Sequence, residues 1–558
     1  MKKILLFYLI SVLITGCSKK LNERETKLEG FINEHVKIIK PILKQMNLTY
    51  WNASISGKKE DYDSFAQLQI KLRKIYSSRE DFQRVKEFKE SGEIKNRVLE
   101  RQLTRLYNSY LENQIDTTLL KLMVEKSTYV ENKFNTFRGK IDGKEVTNND
   151  IIKILKEERD SERRRKAWEA SKQIGEVVAP DLLELVKMRN RAARDLGFDN
   201  YYVMMLTLRE QDENELINLF SKLKEVTEDP YRRLKGELDS ILAERYEISR
   251  EELRPWHYED PFFQEAPAIS EVDLNNYYRG KDILNLSDQF FEGMGLPVTE
   301  ILNRSDLYEK EGKDQHAYCT DIDREGDVRI LANIKDDERW MGTMLHELGH
   351  GVYDLNIQRE LPFLLRAPAH IFTTEAVALF FGRLSKNAGW MMDNLSITGD
   401  TKAEIEKATG KTLKLEQLIF SRWCQVMVNF ERALYKNPDQ DLNQLWWDLV
   451  EEYQFVKRPE GRDKPDWASK IHITSVPVYY HNYMLGEIMA SQLAYYIATE
   501  VLKLNSPAEI KFSGNPKIGR YLKTRVFKPG AMYHWRDLLI YATGEPLNPE
   551  YFVKQFVL

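Results

Sequence analysis

The chain is poor in cysteine and histidine and almost balanced in charge: 3 Cys and 9 His in 558 residues, with 83 basic against 87 acidic side chains. Three cysteines, none in a C-x-x-C or comparable spacing, exclude a disulfide scaffold and a thiolate metal site. A formal balance of −4 excludes a nucleic-acid polyanion as the natural partner. Internal repeats, low-complexity tracts and glycine-rich phosphate cradles are all absent, so nucleotide chemistry has no visible site. Strand-like alternation is nearly absent too. What is present is 42% hydrophobic and 11% aromatic residues, enough to bury a large core.

The one long apolar run lies at the start. In "MKKILLFYLISVLITGC", Lys2 and Lys3 precede an apolar stretch from Ile4 to Ile14 and a small-residue site at Cys17, the pattern of an export signal. The run is short for a bilayer span, which takes about 20 residues. The stretch "ITGC" resembles the lipobox of bacterial lipoproteins. That resemblance implies that residues 1–16 are removed and Cys17 is lipidated, giving an exported protein, periplasmic or on the cell surface, held to the membrane by its lipid alone. Residues 17–30, beginning "CSKKLNERETK", read as a polar tether. Of the remaining cysteines, Cys319 and Cys424, nothing in the sequence says whether they pair.

Helical periodicity dominates the rest, as in "DLLELVKMRNRAARDLGF" and "NELINLFSKLKEVTEDPYRRLKGELDSILAERY". The proline- and aromatic-rich "LRPWHYEDPFFQEAPAI", residues 253–269, interrupts it and reads as a loop crossing between two lobes. "DVRILANI", residues 327–334, is the best strand candidate. It runs into "NIKDDERWMGTMLHELGHGVYDLN", where Asp336 and Asp337 can cap a helix and Trp340, Met344, Leu345, Leu348 and Val352 recur near helical spacing, predicting a helix from Lys335 to about Asp354.

That helix carries the chemistry. Side chains at i and i+4 share a face with Cβ atoms about 5–6 Å apart, so His346 and His350 can hold one ion. Glu347 points about 100° round, where it can serve as general base toward an attacking water. Catalytic zinc takes three protein ligands and keeps one open position. The third ligand is expected downstream in "ELPFLLRAPAHIFTTEAVALFFGRL". Glu375 precedes the apolar run "AVALFF", where a buried carboxylate needs a partner. Glu360 falls in a polar turn, and His370 beside Ala-Pro is more naturally a satisfied loop histidine.

"HELGH", "LPFLLR" and "TEA" together resemble the zinc region of the angiotensin-converting enzyme family of peptidyl dipeptidases. "HAYCTDIDREGDVRI" is similar to the segment preceding that family's zinc helix, "KIHITSVPVYYHNY" to its substrate and transition-state segment, and "GEPLNPEYF" to its end. Thimet oligopeptidases and oligoendopeptidases are more distantly similar. The resemblance implies a mainly α, two-lobed metallopeptidase fold over residues 31–558, with a deep central groove and a short β-sheet beside the zinc helix. It implies one zinc ion on His346, His350 and Glu375, with Glu347 as catalytic base and His472 and Tyr483 stabilising the transition state. It also implies that Lys470 and Tyr480 hold a peptide's C-terminal carboxylate and that His316 and Ala317 meet the substrate backbone, where the strand "VRIL" could offer an unpaired edge. Short peptides losing C-terminal dipeptides are the expected substrates.

Three positions depart from the family pattern. Asn482 replaces an arginine that binds an activating chloride, so no chloride requirement is expected. Leu379 replaces an acid that orients a zinc histidine, so another acceptor must do so. The glutamine that helps clamp the terminal carboxylate has no clear counterpart; His257 lies in the comparable region. Two further functions stay open at this level: an oligoendopeptidase cutting internal bonds, and a lipoprotein that binds peptide or zinc without catalysis.

Overall fold

The computed structural model describes residues 21–268 and 272–557. Within them the protein is mainly helical, with 22 α-helices and two small two-stranded antiparallel sheets. The signal segment and Cys17 lie outside the described residues. No helix among the described residues is long and apolar enough to cross a membrane.

The expected tether is shorter than its polarity suggests. A 34-residue helix, Glu23–Ser56, starts within it, because "NERE" is a capping box: Asn22 Oδ1 accepts from the Glu25 amide at 2.8 Å and Glu25 Oε2 from the Asn22 amide at 3.0 Å. The other Glu25 oxygen accepts two more amides, from Lys95 and Asn96, both at 2.8 Å. A charged string thus closes a helix and ties it to a neighbour.

Among the described residues, apolar side chains collect into one large core, one small core and a minor cluster of Trp51 with Ile322 and Leu331. Leu28, Ile32, Val85, Leu103 and Tyr110 of the N-terminal helices form the small core, joined by Phe363 and Leu364. The large core runs from Leu119 to Phe556. The 253–269 loop does not separate two cores, contrary to expectation. Trp256, Tyr258 and Phe263 are buried in the large one, and residues on both sides of the loop share it. Pro255 opens a short helical turn at its first position, while the aromatic residues between the prolines fill space.

The predicted strand is shorter than its apolar run. Val328–Leu331 pairs antiparallel with Tyr318–Asp321, in register Tyr318 with Leu331. Its far edge is not free: Asp306 donates to the Ile330 carbonyl at 3.0 Å and accepts from the Ala332 amide at 2.9 Å, while Ser305 Oγ takes the Ile330 amide. The strand without a ladder on its outer side is Tyr318–Asp321. The second hairpin, Gly139–Ile141 with Lys144–Val146, turns on Asp142-Gly143, both at positive φ (49° and 80°), the Asp-Gly turn such strands favour.

The HELGH helix spans Glu338–Leu355 and starts three residues later than predicted. Asp337 is its N-cap, accepting from the Trp340 amide at 2.8 Å, which leaves Lys335 and Asp336 outside. Its closest neighbour is the helix Ile371–Gly382. The contact depends on Gly349, where a Cβ would stand 2.8 Å from Ala378 Cα, a distance real Cβ atoms do not tolerate. The helix His481–Tyr496 packs on the other side of Ile371–Gly382, again at a glycine: a Cβ on Gly486 would lie 3.2 Å from Glu375 Cγ. These three helices position the site.

Candidate metal centre and substrate cleft

His346 and His350 stand one turn apart with ring centroids 4.9 Å apart. Glu375, from the neighbouring helix, meets both: Oε1 is 3.8 Å from His346 Nε2 and Oε2 is 3.7 Å from His350 Nε2. The three ligand atoms lie within 4.8 Å of one another. Ligands at about 2.1 Å on a tetrahedral ion are about 3.4 Å apart; the two histidine–carboxylate distances exceed this by a few tenths of an ångström and no pair by more than about 1.4 Å, so side-chain adjustment brings this donor set onto zinc. Glu360 is exposed in its turn. His370 caps the Glu375 helix, accepting from the Phe372 amide at 3.2 Å, and its Nε2 lies 3.0 Å from the Arg209 carbonyl.

The electrostatics are those of a buried site. Burial takes His346 down to about 4. Burial, then the neighbouring imidazole, takes His350 down to about 3, so both rings are neutral with nitrogen lone pairs available. Glu375 is pushed up to about 7 by burial and then by Glu487, which is itself paired with Arg383. Glu347 rises to about 8 through burial and the Glu375 carboxylate, offset in part by the Cys319 amide of the hairpin. With Leu379 unable to orient a ligand, Thr374 does so for His350: its Oγ1 is 2.8 Å from Nδ1.

A second group of residues forms around Lys470. Its Nζ donates to Gln264 Oε1 at 2.7 Å, and the Tyr480 hydroxyl reaches the same oxygen at 3.5 Å while accepting from Trp423 Nε1 at 2.7 Å. The ammonium faces the rings of Phe262, Trp423 and Tyr480 at 5.1, 5.2 and 5.6 Å, and no carboxylate among the described residues pairs with it. Burial pulls it down to about 8. Gln264 is the residue missed in the sequence. His257 is not its substitute: it is buried, with Nε2 2.8 Å from Ser161 Oγ and Nδ1 accepting the Arg254 amide.

His472 adjoins this group, its ring 5.1 Å from Tyr480's and its Nδ1 buried without a partner. Tyr483 makes ring contact with both Tyr479 (5.2 Å) and Tyr480 (5.4 Å). His316 is exposed and Ala317 half-buried at the entry to the hairpin strand Tyr318–Asp321, beside the end of its partner strand "VRIL", whose outer edge is already covered. Cys319 and Cys424 are both free thiols.

The 473–478 segment linking His472 to the tyrosines is held by charged side chains, two buried and one half-buried, none of them signalled by a motif. Arg189, from the helix Ser161–Asp195, donates to the Ile473 and Thr474 carbonyls at 2.9 and 2.6 Å. Arg209 donates to the Val478 carbonyl and Glu431 accepts from the Val478 amide, each at 2.7 Å. Val478 has φ of 55°, a conformation that a β-branched residue adopts only under constraint.

The family described as angiotensin-converting enzyme (peptidase M2) matches residues 22–257 and 260–554. The chain belongs to this family. The angiotensin-converting enzyme-related protein of Drosophila melanogaster is 24% identical over 309 residues, 51% of this chain and 47% of its own length. Thermostable carboxypeptidase 1 of Pyrococcus furiosus is 23% identical over 417 residues, 70% of this chain and 75% of its own. The chain therefore spans about half the length of the fly relative. Membership of the peptidase M2 family and the geometry of His346, His350 and Glu375 agree on a zinc-ligand-like triad.

Because Thr374 alone orients His350 through its distal nitrogen, Thr374→Val should weaken zinc about 10–100-fold, and His350→Ala should abolish stoichiometric binding. Competition with a chromophoric chelator reads both; unchanged affinity in Thr374→Val would remove the orienting role.

Proposed function

We propose that the protein is a zinc-dependent peptidyl dipeptidase acting on short peptides with free C-termini. The observation that carries this reading is the cluster of Lys470, Tyr480 and Gln264 on one oxygen position, linked to the triad through Tyr483, which makes ring contact with Tyr480 and feels the charge of Glu375. An ammonium caged by three aromatic rings and without an ion pair suits a carboxylate, which would be met by the Lys470 ammonium, the Tyr480 hydroxyl and the Gln264 side-chain amide. The archaeal relative's name, a carboxypeptidase, accords with action at a C-terminus.

His346, His350 and Glu375 would hold the zinc, which when bound supplies a Lewis acid for the scissile carbonyl and an acidified water. Glu347 takes the proton of the attacking water on its carboxylate and passes it to the nitrogen of the leaving amine. Its burial keeps the carboxyl within reach of both states near neutral pH. Tyr483 and His472 donate to the developing oxyanion, a contribution worth about 3–4 kcal/mol per donor in sites of this kind. His472 is suited to donate because burial, and then the Lys470 charge, hold it down at about 4, leaving a neutral ring with one N–H. Substrate backbone contacts at His316 and Ala317 belong to the same proposal.

Chloride activation is not part of this reading. Asn482 Oδ1 accepts from Gln211 Nε2 at 3.0 Å, and Gln211 Oε1 lies 2.8 Å from His481 Nε2, so neutral hydrogen bonds fill the place of a charged anion site. The proposal also includes lipidation at Cys17 and export, supported by the "ITGC" signal. Cys17→Ala should then leave the membrane fraction for the soluble one, and equal membrane recovery would end that part of the proposal.

Free and C-terminally amidated forms of one peptide test the specificity. Wild type should favour the free acid about 100-fold or more, from a charge-assisted contact of 1.5–3 kcal/mol together with its orienting effect. Glu347→Gln and chelated protein should cleave neither. Equal cleavage of acid and amide would instead identify an endopeptidase. Since Lys470 is charged below about 8 and loses its proton above, kcat/KM for the free acid should fall above about pH 8. Lys470→Met should lack that limb.

The constrained segment gives an independent check. Glu431→Ala should let Val478 relax and misplace Tyr480 and Tyr483, lowering kcat/KM by about 10–100-fold with zinc retained. Adding Val478→Gly, which adopts positive φ without strain, should restore part of the loss; no loss in Glu431→Ala would show that the segment holds its own shape.

A further inference from the structure

A cavity of about 460 Å³ opens beside the triad, between the helix Arg97–Glu112 and the start of the Glu375 helix. Thr374, which bonds His350, lines it, and so does Tyr479. Tyr483 makes ring contact with Tyr479 on this side and with Tyr480 of the carboxylate cluster on the other. A peptide with its C-terminus at Lys470 and its scissile bond at Tyr483 therefore continues, on the acyl side of that bond, toward this cavity.

The charges in the cavity wall do not cancel. Glu210 is committed to Arg101 in a two-pronged ion pair. Arg209 donates to the Val478 carbonyl, and both ring nitrogens of His370 are engaged. Glu112 is exposed at the end of its helix. Arg105 makes no ion pair and no hydrogen bond among the described residues, although it is half-buried near the like charges of Arg101 and Arg324 and feels Glu210, which Arg101 already holds, only through space. Burial first, and then those neighbours, pull it down to about 10, so it is still charged at neutral pH. A partly desolvated guanidinium among other guanidiniums is unfavourable unless an anion joins it. The fork geometry of arginine matches a carboxylate with two parallel hydrogen bonds.

We propose that this cavity receives an acidic side chain of the substrate, aspartate or glutamate, from a residue N-terminal to the scissile bond, and that Arg105 is the residue that selects it. The inference rests on the peptidase reading for the direction of the chain, and on the unpaired Arg105 for the chemistry of the ligand.

The test uses the full-length zinc protein and a peptide series of constant C-terminal dipeptide, with Glu, Gln or Lys at each of the two positions preceding the scissile bond. Wild type should favour Glu over Gln about 10-fold or more in kcat/KM at one of those positions. Arg105→Gln should bring the ratio to within about twofold, and Arg105→Glu should favour Lys. Zinc content and melting temperature of both variants show that they are folded. Equal rates for Glu and Gln in wild type, or a preference for Glu that survives in Arg105→Gln, overturn the proposal. If no peptide is cleaved, the peptidase reading fails separately. Calorimetric titration of the same peptides into Glu347→Gln then decides the site alone: tighter binding of the Glu peptide that vanishes on adding Arg105→Gln supports it, and equal binding of Glu and Gln peptides overturns it.

Discussion

Glu375 reaches the two histidines only because its helix lies unusually close to theirs. Gly349 lies between His346 and His350 in sequence, and its missing Cβ lets the backbone of Ala378 come within reach. A methyl group there would force the helices apart, and the carboxylate would lose its nitrogens before any core residue lost its packing. Gly486 repeats the device on the far side of Glu375. The triad is thus set by two places where side chain is absent, and every group downstream of it, Thr374, Tyr483 and the hairpin amide of Cys319, is placed relative to these three helices.

The site combines burial with neutrality at the histidines and burial with charge at Lys470. Desolvation acts in opposite senses on the two kinds of group: it frees lone pairs on His346 and His350 and weakens the hold of Lys470 on its proton. The aromatic rings around Lys470 compensate in part, because their faces attract a cation without supplying a counter-charge that would compete with a ligand. A structural ion pair in the same position, such as Arg462 with the buried Asp466, would be satisfied already and could not select anything.

Motifs at helical spacing were readable from the chain alone. His346, Glu347 and His350 declare themselves through a four-residue period, and Glu375 through an acid placed before an apolar run. Gln264 could not be read in this way. It sits in a loop, 206 residues from Lys470 in sequence, and only tertiary packing of Phe262 and Phe263 into the large core brings it there. Arg189, Arg209 and Glu431 are equally silent, since a buried charge bonded to backbone looks in sequence like any solvated one. Polarity misled at the N-terminus, where "NERE" reads as tether but closes a helix. The strand "VRIL" had the right alternation, yet nothing local says that Asp306 covers its edge.

The helices before residue 113 have an apolar interior of their own, joined by Phe363 and Leu364 of the later chain, and Trp51 packs separately against Ile322 and Leu331 of the hairpin. The apolar contacts of this unit with the later chain, at Phe363 and Leu364 and at the hairpin, are small beside the large core, so parting it from the rest costs those junctions and the Arg101–Glu210 pair rather than global unfolding. Arg101 and Arg105 belong to that unit, whereas the triad belongs to the other. Breathing along this seam would admit or release an extended chain while leaving the ion's three ligands undisturbed.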